Sequence, residues 1–160
     1  MKRNWIIGIA VAGGAYLFNS AMQADRDDSG AIVGEGSIDA FQMRVGDCFD
    51  DGSAFVDENP EIDSVPGVPC SQPHDNEVYA VFDVNAASFP GDGMADMAQE
   101  ACVARFESFV GKDYESSALD IASLYPSRDS WNRQNDREVI CAVYDIEAQK
   151  LTGSVKGLRL

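Results

Sequence analysis

Apolar and polar positions divide the chain into one continuous run and a series of short periodic segments. From Trp5 to Met22 only Asn19 and Ser20 are clearly polar. As a helix rising about 1.5 Å per residue, this run would cover roughly 27 Å, enough to cross the hydrocarbon of a bilayer. Lys2 and Arg3 precede it, and Asp25, Asp27 and Asp28 follow it. That asymmetry predicts a cytoplasmic stub over residues 1–4, a single-pass anchor over 5–22 in the plasma membrane, and the rest of the chain outside. The rival is a cleaved signal peptide. Met22-Gln23-Ala24 and Asn19-Ser20-Ala21 each lack the small first residue of an A-x-A site, so a retained anchor is the expectation. Gly8, Ala12 and Ala15 form a row of small residues, a spacing that lets two membrane helices approach closely.

After the run, residues 23–40 mix Asp, Ser and Gly with few large apolar side chains and predict a flexible tether. Asp25, Asp27 and Ser29-Gly30 imitate the start of a calcium loop. Its twelfth position is Gly36 where a bidentate Glu is needed, so no calcium site is expected. The folded domain is placed at 41–160. Phe41–Phe49 is its first element, with a bend at Gly46-Asp47, and residues 50–69 are an acidic, proline-containing loop.

Glu77–Val84 carries apolar residues on both faces and predicts a central strand. Phe89-Pro90-Gly91 then breaks the pattern, Asp92 is positioned to cap a helix, and Gly111 to end it. Within that helix Ala95, Ala98, Cys102, Phe106 and Phe109 fall on one face. Leu119–Tyr125 alternates as a strand stopped by Pro126, and Ser127–Asp136 predicts a helical turn and loop around Trp131. Val139–Tyr144 is a strand, with Leu151–Val155 expected to return beside it as a hairpin. The fold class is α+β: a mainly antiparallel sheet with one main helix across it.

Charge and cysteines narrow the setting. All 27 acidic residues follow the apolar run, against the 10 basic residues left once Lys2 and Arg3 are set aside, giving −17. Such a domain is a poor partner for nucleic acid or anionic lipid. Four cysteines in an exported domain predict two disulfides. Zinc is the alternative, but no C-x-x-C occurs and His74 is the sole histidine, so no metal is expected. Three pairings are open in principle. A helix face bearing Cys102 over a strand bearing Cys141 favours Cys102–Cys141, which leaves Cys48–Cys70 to tie the first element to the turn before the second.

Several blocks stand out together: Val45-Gly46-Asp47-Cys48-Phe49, the stretch Val68–Tyr79 with its Cys70-Pro73-His74 core, and Phe89-Pro90-Gly91. Cys102 with Phe106, Tyr125-Pro126 with Trp131, Asp136–Cys141 and Leu151–Ser154 complete the set. In these blocks the chain resembles the septum formation family of actinobacterial membrane-anchored proteins. The family has Gly before its Asp-Arg pair, where this chain has Gln134-Asn135. Asn tolerates a left-handed backbone, so the turn is expected to survive. The resemblance implies an envelope role connected with septation or envelope assembly, and no reaction.

Ser71, His74 and Asp75 are the one grouping with catalytic residue types, but they match no nucleophile motif. His74 and Asp75 are expected to fix the turn that presents Cys70, with ligand binding the sharper alternative. Trp131 and Arg137 are expected in core and scaffold, with a protein interface as the alternative. The sequence therefore predicts a non-enzymatic, cofactor-free, membrane-anchored binding or scaffold protein. Its partners are expected among other membrane or envelope proteins; a small-molecule ligand is not specified. The other readings are an accessory subunit of a larger membrane complex, an envelope hydrolase using Ser71, His74 and Asp75, and a small-ligand binder beside the turn.

Overall fold

The computed structural model describes residues 23–51 and 62–160. Among them no helix is long and apolar enough to cross a membrane. The apolar run 5–22, with Gly8, Ala12 and Ala15, lies outside the described residues.

The chain forms β1 (Asp25–Arg26), β2 (Ile32–Gly34), β3 (Gly36–Asp39), β4 (Cys48–Phe49), β5 (Ser64–Val68) and β6 (Asn76–Asp83). Helix α1 (Met94–Val110), β7 (Leu119–Leu124), the short helix α2 (Arg128–Arg133) and β8 (Glu138–Asp145) follow. Strands β1 and β2 pair by themselves, and the main sheet has the order β3-β5-β4-β6-β8-β7. Every strand pair is antiparallel.

Two apolar layers lie on opposite faces of this sheet, and β8 shows why. Val139, Cys141 and Val143 point to one layer, Ile140 and Ala142 to the other, as the two-residue period of a strand requires. The first layer is covered by α1, whose Met94, Ala98, Cys102, Phe106 and Phe109 are buried. Ala95, expected on that face, is exposed, because the stripe begins one residue earlier at Met94. An irregularity in β6 between Val78 and Ala80 turns both Tyr79 and Ala80 toward the helix, the usual effect of a bulge. Tyr79 then donates its hydroxyl to the Cys102 carbonyl at 2.8 Å and meets Phe106 edge-on. Cys102 and Cys141 are both fully buried and bridged, with Cα atoms 5.6 Å apart.

Gly111 ends α1 with φ 82°, donating its N–H to the Glu107 carbonyl. At the other end Asp92 does not cap. It lies in a 3-10 turn, Gly91–Gly93, that runs straight into α1, and Met94 N–H already bonds the Gly91 carbonyl.

The second layer is closed by β2, β3 and β5, which bring Ile32, Ile38 and Val65 against Val78, Ile140 and Ala142. Residues 23–40 are therefore not a free tether. Their strands are too short and polar to show a period, but they hydrogen-bond and pack on the sheet.

Leu151–Val155 is not a returning strand either. Both edges of β8 are taken, by β6 and β7, so no hydrogen-bonding edge is left for it. The segment makes only one bridge, to His74, and turns at Gly153 with φ 82°. On the outer edge of β7, Leu119 N–H is accepted by Ser117 Oγ at 3.1 Å and Ile121 N–H by Asp120 Oδ1 at 2.8 Å.

Candidate functional site

The Cys-Pro-His turn is built by three ties. Cys70, after β5, is bridged to Cys48 at the start of β4, with Cα atoms 5.2 Å apart. His74 exchanges two backbone bonds with Leu151, at 3.0 and 2.8 Å, and the Cys70 carbonyl accepts Gly153 N–H at 2.7 Å. Glu77, only 1% exposed, accepts the Ser154 hydroxyl at 2.6 Å and Val155 N–H at 2.7 Å. A buried carboxylate with two strong donors is a satisfied one, so the C-terminal tail is clamped to the turn.

The side chains first suspected of chemistry take part in this clamp. The His74 ring is fully buried, and its Nδ1 lies 2.8 Å from the Gln72 carbonyl. A carbonyl only accepts, so Nδ1 carries the proton. Nε2 is enclosed and has no hydrogen-bond partner. Among the described residues neither Ser71 nor Asp75 hydrogen-bonds this ring. Asp75 faces the other way, accepting Asp51 N–H at 3.1 Å and pairing with Lys150 at 2.8 Å. Lys150 also reaches Asp50 at 2.7 Å. Burial pushes the Asp75 carboxyl up, but the Lys150 ammonium and the Asp51 N–H together hold it below the ordinary carboxylate range. Cys48, Cys70 and Glu77 place ligand-type atoms within 4.8 Å of one another. Both sulfurs are spent in the disulfide, and a thioether-like sulfur is no substitute for a thiolate ligand.

The second cluster lies at the far end of the β6–β8 ladder. Asn76 pairs with Tyr144 at one end and Asp83 with Glu138 at the other, a separation of roughly 20 Å at about 3.3 Å per residue. His74 and Asp75 are thus not brought together with Trp131 and Arg137. Trp131, on α2, is 4% exposed and packs edge-on against Phe89. Its helix starts from a capping box between Ser127 and Ser130, which satisfies the first free N–H groups. The Arg137 guanidinium lies 3.6 Å over the Trp131 ring and donates to the carbonyls of Trp131 and Asp136 at 3.0 and 2.7 Å. It pairs with no carboxylate among the described residues. Asp136 accepts instead from Ser130 at 2.8 Å and from Glu138 N–H at 3.0 Å. Asn135 takes φ 56°, the left-handed turn expected where the family has Gly.

Arg137 forms one wall of a cleft of about 390 Å³, completed by Phe41, Asp83, Gln134, Asn135, Asp136 and Glu138. Phe41 is 51% exposed. Burial, then Asp83, then Asp136 push the Glu138 carboxyl above its ordinary value, and its Oε1 is enclosed without a partner. Phe41 and Asp83 gave no functional signal in the sequence, and Glu138 only its place in the Asp136–Cys141 block. They come from three separate elements, and only the folded sheet brings them to one rim.

Fold and site define a class: a doubly disulfide-bridged α+β domain whose polar motif residues serve its own architecture, with a charged cleft at the opposite end. The chain belongs to the septum formation family, whose model matches residues 45–158. No curated protein and no solved structure matches it.

Proposed function

We propose that this chain is a non-enzymatic binding or scaffold protein of the cell envelope, acting in septation or envelope assembly. It is anchored in the plasma membrane by residues 5–22, with its C-terminal domain outside. The observation that carries this reading is the use of His74, Asp75 and Glu77. Each is committed to holding the turn or the C-terminal tail, and the His74 ring has no nucleophile bonded to it. The family's description supports a part in cell division. The open surface is the cleft beside Arg137, where three carboxylates and a half-exposed phenyl ring suit a basic segment of a partner protein. That choice also fits a domain with 27 acidic residues.

Affinity isolation from gently solubilised membranes tests the proposal. Co-purification of envelope or membrane proteins, weakened by Asp83→Lys, is expected. Recovery of the protein alone as a monomer counts against it. Imaging separates two versions of the role. Enrichment at the septum fits a division factor, and a uniform membrane signal with a stoichiometric complex fits an accessory subunit. The hydrolase reading is tested by His74→Ala and Ser71→Ala. Loss of an envelope-lytic activity with the fold intact in both variants would sink the non-enzymatic assignment.

A further inference from the structure

The segment between the apolar run and β4 is fastened to the body from its first described residues. Gln23 bridges Ser37, and Ala24 N–H donates to the Ser37 carbonyl at 3.0 Å. Two residues on, Arg26 forks onto the Asp47 carboxylate, with Nη1–Oδ1 at 2.6 Å and Nη2–Oδ2 at 2.7 Å. Nη1 also reaches the Gly30 carbonyl at 2.8 Å. The Asp47 side chain is 3% exposed and directly precedes the bridged Cys48. A bidentate, largely enclosed pair is among the stronger ionic contacts a surface can make. Backbone packing is equally close. A Cβ at Gly36 would collide with the backbone of Gln23 and Ala24, so a glycine is required where this segment passes β3.

We infer that residues 23–39 are a strap that seats the folded domain directly on the membrane in one orientation. This rests on the anchor proposed for residues 5–22. As a flexible coil, a segment of this length would let the domain wander about 20–25 Å from its anchor. Fastened at Ala24, it leaves one or two peptide units of slack. The domain then meets only partners whose outer parts lie close to the bilayer, which selects membrane proteins with short external segments over soluble or distant wall components.

Hydrogen exchange on the full-length protein in phospholipid vesicles tests the strap. The Ala24 and Asp27 amides are expected to exchange at least ~100-fold more slowly than in an unstructured peptide. Arg26→Ala and Gly36→Val should each return them toward the free rate while the amides of β6 and β8 stay protected. Free-peptide exchange in the wild-type chain overturns the inference. Energy transfer from a label at Leu160 to labelled lipid tests the seating. A twelve-residue Gly-Ser insert between Met22 and Gln23 should lower the transfer at least twofold, and no change overturns it. If carbonate strips the protein from vesicles while Ala24 stays protected, the anchor reading has failed, and the placement at the bilayer fails with it. Fast exchange in a protein that remains embedded condemns the strap alone.

Discussion

The two faces of the sheet are closed by different physics. One is covered by a single continuous helix that brings Met94, Ala98, Cys102, Phe106 and Phe109 down together and is bridged to β8 through Cys102–Cys141. The other is covered by short strands with smaller apolar contacts, held at their margin by Arg26–Asp47; polar ties of the same long-range kind, from Glu77 and Lys150, hold the turn and the C-terminal tail, whose Leu151 and Val155 pack in the helical layer. The helical face depends on buried area; the other depends on polar ties made between residues far apart in the chain. Damage to the first should therefore cost global stability, and damage to the second should loosen segments before the whole domain unfolds.

Phe106→Ala should give the largest effect. Its ring is fully buried and contacts both Tyr79 and Tyr114 edge-on. A loss of about 3–5 kcal/mol is expected in denaturant unfolding; a change below ~1 kcal/mol would erase the contrast between the faces. Glu77→Ala should come next, at about 1–3 kcal/mol, because Val155 N–H is left buried without its acceptor. Its signature is regional: exchange of residues 151–155 should speed up more than that of β8. Uniform acceleration would mean that the tail is part of the same cooperative unit as the helix.

Lys150→Ala should cost least, under ~1 kcal/mol, since the ammonium is half exposed. Its pH profile sharpens the comparison. Asp75 is held below its ordinary value, so its contribution is present above about pH 4 and is lost as pH falls through the folded pKa. Burial lowers Lys150 but Asp50 and Asp75 together raise it, so its share is present below about pH 10.4 and is lost as pH climbs through the raised value. The stability difference between wild type and variant should be greatest near neutrality and vanish at both extremes. A difference that grows in acid would contradict the ion pairs.

The helical face was legible because its signals are local and periodic. The stripe on α1, the alternation of β6, β7 and β8, and Gly111 each declare themselves within a few residues. That legibility extended to Cys102–Cys141, since a helix stripe and a strand face leave little choice of partner. The opposite face was hidden. Strands of two to four residues such as Asp25–Arg26 and Gly36–Asp39 cannot display a period, and they are held by Asp47 and by β5, which no local window joins to them. Leu151–Val155 misled for a related reason: its alternation is genuine, but β8 had already given both edges to β6 and β7. Of the candidate site, His74, Asp75, Trp131 and Arg137 were visible as unusual residues, while the cleft needed Phe41 and Asp83, which the fold alone delivers.

The outer edge of β7 carries a consequence for behaviour at high protein concentration. Ala118 accepts Ile146 N–H, so alternation turns the N–H groups of residues 119, 121 and 123 away from β8. Ser117 and Asp120 occupy the first two, and Asp120 is itself gripped by the hydroxyls of Tyr114 and Tyr144 at 2.6 and 3.1 Å. Burial pushes that carboxyl up, yet the Tyr114 hydroxyl, Ile121 N–H and Tyr144 together keep it below its ordinary value, and so charged. A strand arriving from a second copy would find two of these three N–H groups already bonded and a fixed negative charge in its path. At high protein concentration this edge is therefore a poor template for sheet-to-sheet pairing between copies.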